Sequence, residues 1–205
     1  LIEIGCGKGI LSKALADCCK SLHVIEIDER WLNHVKAMNL NNIKFHHQDI
    51  LKFDLASIGN AKIIANIPYQ ITTPIIDHFT KFKPDLTSIT IMIQKEVADR
   101  ILAKENSKTY GLLTLFCNYH FTVSRGFNVS RDCFSPKPNV DSTVIQLIPK
   151  KGCLPIHEEG LFFAMLKSLF WGRRKKIITC LLKAPYITAK PEIKHLAPEI
   201  MNKRA

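Results

Sequence analysis

Apolar runs and amphipathic stretches alternate along the first hundred residues. LIEIG, LHVIEID, IKFHHQDI, KIIANI and SITIMIQ read as strands, separated by stretches such as GILSKALADCCK and ERWLNHVKAMNL, whose apolar positions recur with helical spacing. Strands alternating with helices imply βαβ units and a mostly parallel sheet. QKEVADRI is expected to follow the fifth strand as a helix with Val97 and Ile101 turned inward. Further on, STVIQLIPK reads as one more strand after VSRGFNVSRD and the proline-rich FSPKPNVD. Beyond PKKGCLP the pattern is helical only, first EEGLFFAMLKSLFW and then KKIITCLLKA. The expectation is an α/β domain over residues 1–150 and a small all-helical domain over 151–205.

Composition narrows the picture. An apolar fraction of 46% over 205 residues suits a folded core and argues against disorder. The formal charge is +11, and residues 150–205, with twelve Lys/Arg against four Asp/Glu, hold +8 of it. A basic surface concentrated at one end points to a polyanionic partner. Seven cysteines without a C-x-x-C pair suggest reduced thiols, with neither a disulfide framework nor a metal site. The histidines show no ligand spacing, since His46 and His47 are adjacent and would face opposite sides of a strand. No run is long and apolar enough for a membrane span, and no signal peptide opens the chain, so a cytoplasmic protein is expected.

The motifs sit at strand ends, where open α/β sheets bind ligands. EIGCGKG brings Glu3, Gly5, Gly7 and Gly9 to the turn from the first strand into the first helix. Glycines there let the backbone approach a ligand and offer amide donors at a helix N-terminus. The dinucleotide pattern G-x-G-x-x-G fails at Ile10, whereas E-x-G-x-G-x-G resembles the S-adenosylmethionine (SAM) loop of Rossmann-like methyltransferases. The second strand ends in VIEIDER, where Glu26 is the candidate acceptor for ribose hydroxyls, beside Ile27. Asp28 is a second acceptor or a helix cap. The third strand ends in HQDIL, where Asp49 can accept from an adenine amino group next to apolar Ile50.

The fourth strand runs into ANIPYQITTP. The exocyclic amine of adenine is a poor nucleophile because its lone pair is delocalised into the ring. Acceptors that grip its hydrogens while the nitrogen pyramidalises favour the transition state of methyl transfer. Asn66 through its amide oxygen and Ile67 through its carbonyl can be those acceptors; Pro68 stiffens the turn, and Tyr69 offers a stacking face.

NIPYQITTPII, IQKEVADRI, NSKTYG, FSPKPNVDSTV and GRRKKII, in this order, resemble the ribosomal RNA adenine N6,N6-dimethyltransferases over essentially the whole chain, the bacterial small-subunit enzymes above all. The resemblance implies a Rossmann-like class I methyltransferase sheet of seven strands with a helical RNA-binding domain. It implies SAM as cofactor and two adjacent adenines near the 3′ end of 16S rRNA, in a small-subunit assembly particle, as substrate. It also implies a monomer with no metal and no membrane contact. By position, Gly5, Gly7, Glu26 and Asp49 would hold SAM, with Glu3, Ile27, Ile50 and Asn66 beside them. Asn66, Ile67, Pro68 and Tyr69 would face the target base, and Phe134 would supply a second stacking ring. Arg173, Arg174, Lys175 and Lys176 would contact phosphates from a basic helix.

Three departures from the family pattern stand out. Cys6 replaces a proline, the chain opens inside its first strand, and it ends at NKRA, so a trimmed piece of a longer protein is expected. Two competing readings are a large-subunit adenine dimethyltransferase of the macrolide-resistance type and a non-catalytic RNA-binding assembly or transcription factor.

Overall fold

The computed structural model describes residues 1–151, 158–187 and 201–205. Seven strands form one sheet in the order β3-β2-β1-β4-β5-β7-β6. They are β1 (Ile2–Ile4), β2 (Leu22–Glu26), β3 (Ile43–His47), β4 (Ala61–Asn66), β5 (Leu86–Gln94), β6 (Phe121–Val129) and β7 (Ser142–Pro149). The first five pair in parallel, and β7 runs antiparallel between β5 and β6. The helices are α1 (Ile10–Cys18), α2 (Glu29–Lys36), α3 (Thr72–Lys81), α4 (Lys95–Ile101), α5 (Leu112–His120), α6 (Glu159–Trp171) and α7 (Ile177–Lys183).

Strand order reverses between β1 and β4, which makes their carboxyl ends the switch point where such sheets leave a crevice. Ile4 pairs with both Ile25 and Ala65, so the residues that follow, Gly5, Glu26 and Asn66, emerge at one edge of the sheet. On one side, Leu15 and Ala16 of α1 and Leu32 and Val35 of α2 pack with Leu22 and Val24. Burying such side chains is worth about 1.5–3 kcal/mol each, and this holds the glycine turn between β1 and α1. In α3, Ile75, Ile76 and Phe79 are fully buried.

Two findings depart from the sequence pattern. Residues 121–129, not assigned as a strand above, form edge strand β6; it is mostly exposed and its register with β7 shifts between Arg125 and Asn128. Gly126 lies in that irregularity, where a Cβ would stand 3.1 Å from the Val144 carbonyl. Phe121, Val123, Phe127 and Val129 do alternate with polar or small residues, and only Arg125 breaks the period, so the strand signal is present but interrupted where the register shifts. In α4 the buried residues are Ala98 and Ile101, while Val97 is half-buried.

Contacts divide the chain into two units: Leu1–Leu102 with Cys117–Lys151, and Ala103–Phe116 with Gly152–Ala205. In the second, Leu181, Ile187 and Met201 form a core flanked by Met165, Leu169, Ile177 and Ile178. Phe116 packs on Phe163, and Tyr110 on Phe170.

His120 illustrates a cost of burial in the first unit. Burial, with the Lys83 ammonium 3.2 Å from Nδ1, lowers its pKa to about 4. Because the folded value lies below the ordinary 6.5, this contribution to stability is present above pH 6.5 and is lost as pH falls through 4. Replacing His120 with Gln should therefore flatten the fall in unfolding free energy between pH 6.5 and 4 by roughly one proton's worth of slope. Denaturant titrations at several pH values check this; an unchanged slope would contradict it.

Candidate functional site

The turn after β1 is built on left-handed glycines. Gly5, Gly7 and Gly9 have φ of +75°, +48° and +76°, a region that side chains disfavour. Gly5 N donates to Ile25 O at 2.9 Å, and Gly9 N to Cys6 O at 2.9 Å. A Cβ on Gly9 would come within 2.7 Å of the Met38 side chain, whereas nothing lies within 4 Å of one on Gly7. The turn is thus packed at Gly9 and open at Gly7, as a cradle for a close-lying ligand would be.

Glu26 ends β2 and is buried at the root of this turn. One carboxylate oxygen accepts from Asp28 N at 2.9 Å; the other accepts from Gly7 N at 3.4 Å and faces the Cys6 thiol at 3.6 Å. Burial first, then the Glu26 and Glu3 carboxylates, push the Cys6 thiol up to about 12, so it stays a neutral donor. Asp28 resolves as a helix cap: it accepts from Arg30 N and pairs with the Arg30 guanidinium at 2.7 Å. Ile27 beside it is 65% exposed, and its carbonyl lies 3.1 Å from the His47 ring. Gln48 N donates to Glu26 O at 3.1 Å, which brings the end of β3 alongside. There Asp49 is half-buried and caps a short turn through Leu51 N at 2.9 Å, and Ile50 is buried.

Glu3 lies elsewhere. It is fully buried in β1, and among the described residues neither carboxylate oxygen finds a hydrogen-bond partner, nor does the buried Ser12 hydroxyl. Burial raises its pKa to about 7, with partial relief from nearby Ser12 and a further rise from Glu26. The side chain is closed to solvent, and its charge is felt by Glu26 and by the Cys6 thiol.

The end of β4 forms the second half of the site. Along β4 burial alternates, so Asn66 is exposed while Ile67 is anchored in the core. Ile67 N donates to Met92 O at 3.3 Å, and Ile71 N to Pro68 O at 3.1 Å, fixing the turn. Asn66, Ile67, Pro68, Tyr69 and Gln70 line an open cleft of about 340 Å³, faced by Phe134, Pro136 and Pro138 from the loop before β7. Phe134 is half-buried on this cleft wall. A Cβ on Gly5 would be 3.8 Å from Asn66 O, so the glycine turn and the cleft adjoin. Gln70, which follows NIPY, and Pro136 and Pro138, the two prolines of FSPKP, line the cleft without having been singled out by their motifs.

In the second unit, Arg173, Arg174, Lys175 and Lys176 are exposed, but they sit in the turn between α6 and α7 instead of along a helix face. Lys175 Nζ stacks 4.2 Å above the Trp171 ring. Ile177 N donates to Lys203 O and Ala205 N to Lys175 O, which brings the exposed Lys203 and Arg204 to the same turn. Sequence separation hid that pairing. Among the described residues, no group of His, Cys, Asp and Glu could hold a metal ion, and no helix is long and apolar enough to cross a membrane.

Comparison with known proteins adds to this geometry. The family model for ribosomal RNA adenine dimethylase matches residues 1–196. The chain belongs to the ribosomal RNA adenine dimethylase family. It is 35% identical over 187 residues to ribosomal RNA small subunit methyltransferase A of Syntrophus aciditrophicus, covering 87% of this chain and 67% of that one. The protein of the same name from Clostridium botulinum is 40% identical over 184 residues, covering 86% and 67%. The chain thus spans about two thirds of the length of these curated relatives. Among solved structures, a dimethyladenosine transferase from Plasmodium falciparum superposes with a TM-score of 0.79 at 30% identity, covering 89% of this chain and 67% of that one. The 23S rRNA methyltransferase ErmE gives 0.70 at 27% identity, covering 90% and 76%. The sheet is that of the Rossmann-like methyltransferases, as the dimethylase motifs implied.

The unpaired Glu3 carboxyl makes the site's stability depend on pH. Its folded pKa of about 7 exceeds the ordinary 4.5, so the stability tied to its proton is present below 4.5 and is lost as pH rises through 7. Glu3→Gln, which keeps the shape without the charge, should stabilise the chain by roughly 1–3 kcal/mol at pH 8. The gain should fade toward pH 4.5; an equal gain at both ends would show that the carboxyl does not titrate in this window.

Proposed function

We propose that this chain transfers methyl groups to N6 of two adjacent adenines near the 3′ end of 16S rRNA, within a small-subunit assembly particle in the cytoplasm. The observation that carries the reading is the meeting of Asn66, Ile67, Pro68, Tyr69 and Phe134 on one cleft beside the glycine turn. SAM fits the donor site: Gly5 and Gly7 offer backbone approach, Glu26 an acceptor for ribose hydroxyls, Ile27 and Ile50 apolar surface, and Asp49 an acceptor for the adenine amine. When bound, SAM supplies an electrophilic methyl group on a sulfonium centre. Glu3 and Cys6 support the turn instead of touching the donor.

The Asn66 amide oxygen and the Ile67 carbonyl accept from the target amine and favour its pyramidal form over the planar one. Orientation in the cleft supplies the proximity that a free encounter lacks. No general base has to act first, because the amine proton becomes acidic only as the methyl arrives. Tyr69 and Phe134 stack on the flipped base, each contact worth about 1–3 kcal/mol, which offsets the few kcal/mol of unstacking. The four basic residues at 173–176, with Lys203 and Arg204, contact phosphates and set orientation without reading sequence. The greater identity to the small-subunit enzymes than to ErmE supports the small-subunit target.

Transfer of labelled methyl from SAM to under-methylated small subunits, compared with large-subunit RNA, tests the reading. Label on the large-subunit RNA alone would favour the macrolide-resistance type, and label on neither would leave a binding protein. Asn66→Ala should abolish transfer while largely sparing SAM affinity, and Glu26→Ala should weaken SAM binding first. Calorimetry beside turnover checks both, and equal loss of binding and turnover in Asn66→Ala would misplace that residue. Replacing residues 173–176 with Gln should lower RNA affinity and flatten its salt dependence, by about 0.7 in log–log slope for each lost contact to a single strand. An unchanged slope would return the turn to an ordinary solvated surface.

A further inference from the structure

Ser142 belongs to none of the roles assigned above, yet its hydroxyl is the partner of the cleft's tyrosine. Tyr69 Oη and Ser142 Oγ lie 2.7 Å apart, and Ser142 is fully buried at the start of β7. Its position is fixed from both sides, by pairing with Gln94 of β5 and Val129 of β6. The residue before it, Asp141, ties the loop that carries Phe134. Asp141 Oδ1 accepts from Arg131 N at 3.0 Å, and its carbonyl accepts from Lys95 N at 2.9 Å. Within that loop the Arg131 guanidinium donates to Asn139 O at 3.3 Å. The two rings on the cleft therefore share one root: Tyr69 is held by Ser142, and the Phe134 loop closes on the adjacent residue.

We propose that Ser142 is a positioning residue which, through the Tyr69 hydroxyl, sets the gap between the Tyr69 and Phe134 rings where a planar base stacks. The inference rests on the reading of the cleft as a target-base pocket. A ring held only at its Cβ can swing about χ1, whereas a ring also held at its para oxygen keeps the direction of its long axis, and with it the distance to a facing ring. The arrangement is self-reinforcing, because the buried serine hydroxyl loses its partner if the tyrosine moves. A ring that has swung away still contacts the base but presents its amine off line, and small misplacements lower rate steeply.

The test compares the chain with Tyr69→Phe, Ser142→Ala and the double variant. Methyl transfer to under-methylated small subunits gives kcat and the KM for SAM. Affinity for an RNA hairpin carrying the target adenine, divided by affinity for the same hairpin with an abasic site there, isolates the base's own contribution. Each single substitution should lower kcat by about tenfold, leave the KM for SAM within about twofold, and shrink the adenine-to-abasic ratio. The double variant should lose no more than the worse single one, since both remove the same contact. Single variants with unchanged kcat and ratio, or losses that multiply in the double variant, would overturn the proposal. Thermal unfolding accompanies each measurement; if Ser142→Ala does not fold, Tyr69→Phe decides alone. Unsubstituted chain that prefers the adenine hairpin yet transfers no methyl overturns the enzymatic reading, while the ratios still decide on Ser142. Unsubstituted chain that shows no preference for adenine over the abasic site overturns the proposal itself.

Discussion

The Glu26 carboxylate is the constraint on which the candidate donor site depends. It accepts from Asp28 N and Gly7 N and faces the Cys6 thiol, so one side chain at the end of β2 ties the turn after β1 to the start of α2. Parallel strands make this possible, because their carboxyl ends leave backbone groups unpaired at one edge and the next loops must satisfy them. The buried Glu3 and the neutral thiol of Cys6 lie at the same root, which leaves Glu26 as the acceptor that donors can share. Gly5 completes the arrangement by letting the β1 turn lie against the end of β4, close to Asn66 O.

What the chain discloses in sequence follows the range of the interaction. Strand and helix periodicity, the glycine turn and the NIPY turn are local, and each appears where its residues implied. Asp28 was ambiguous because an acid at the end of β2 can cap a helix or face a ligand, and Arg30, two residues on, favours the cap. β6 is legible only in part: Phe121, Val123, Phe127 and Val129 alternate as in a strand, but Arg125 interrupts the period next to the irregularity at Gly126, and most of the strand is exposed. In α4 the smaller Ala98 is buried beside Ile101, whereas the bulkier Val97 is only half-buried. Long-range pairings were the least visible: Tyr69 with Ser142 spans 73 residues, and nothing local to either announces it. Family resemblance implies Phe134, and it lines the same cleft as Tyr69 from the loop before β7.

The chemistry of the cleft wall bears on the proposed reaction. Pro136 and Pro138 have no backbone N–H, so the wall that faces the NIPY turn presents few donors to compete for the acceptors that must grip an amine. An amine with two hydrogens needs acceptors, and a wall rich in backbone donors would instead hydrogen-bond a ring nitrogen or a carbonyl. Proline also supplies apolar surface without flexible side chains, so the wall loses little entropy when a base enters. The FSPKP segment thereby favours a planar, amine-bearing guest through what its prolines lack as much as through the aromatic face of Phe134.

Charge is distributed so that affinity and selection can be separate properties. None of the eight residues lining the cleft is charged, whereas six exposed cations gather at the turn between α6 and α7. Phosphate contacts are strong, long-ranged and indifferent to base identity, so they suit holding an RNA but cannot choose an adenine. A neutral cleft has the opposite character: its hydrogen bonds and stacking are short-ranged, little screened by salt, and dependent on the shape of the guest. It follows that raising salt should slow the chain's capture of RNA far more than it alters the discrimination among bases once captured. A cleft lined by Lys or Arg would bind any phosphate that approached and would blur that distinction; its neutrality lets recognition rest on the amine and the ring.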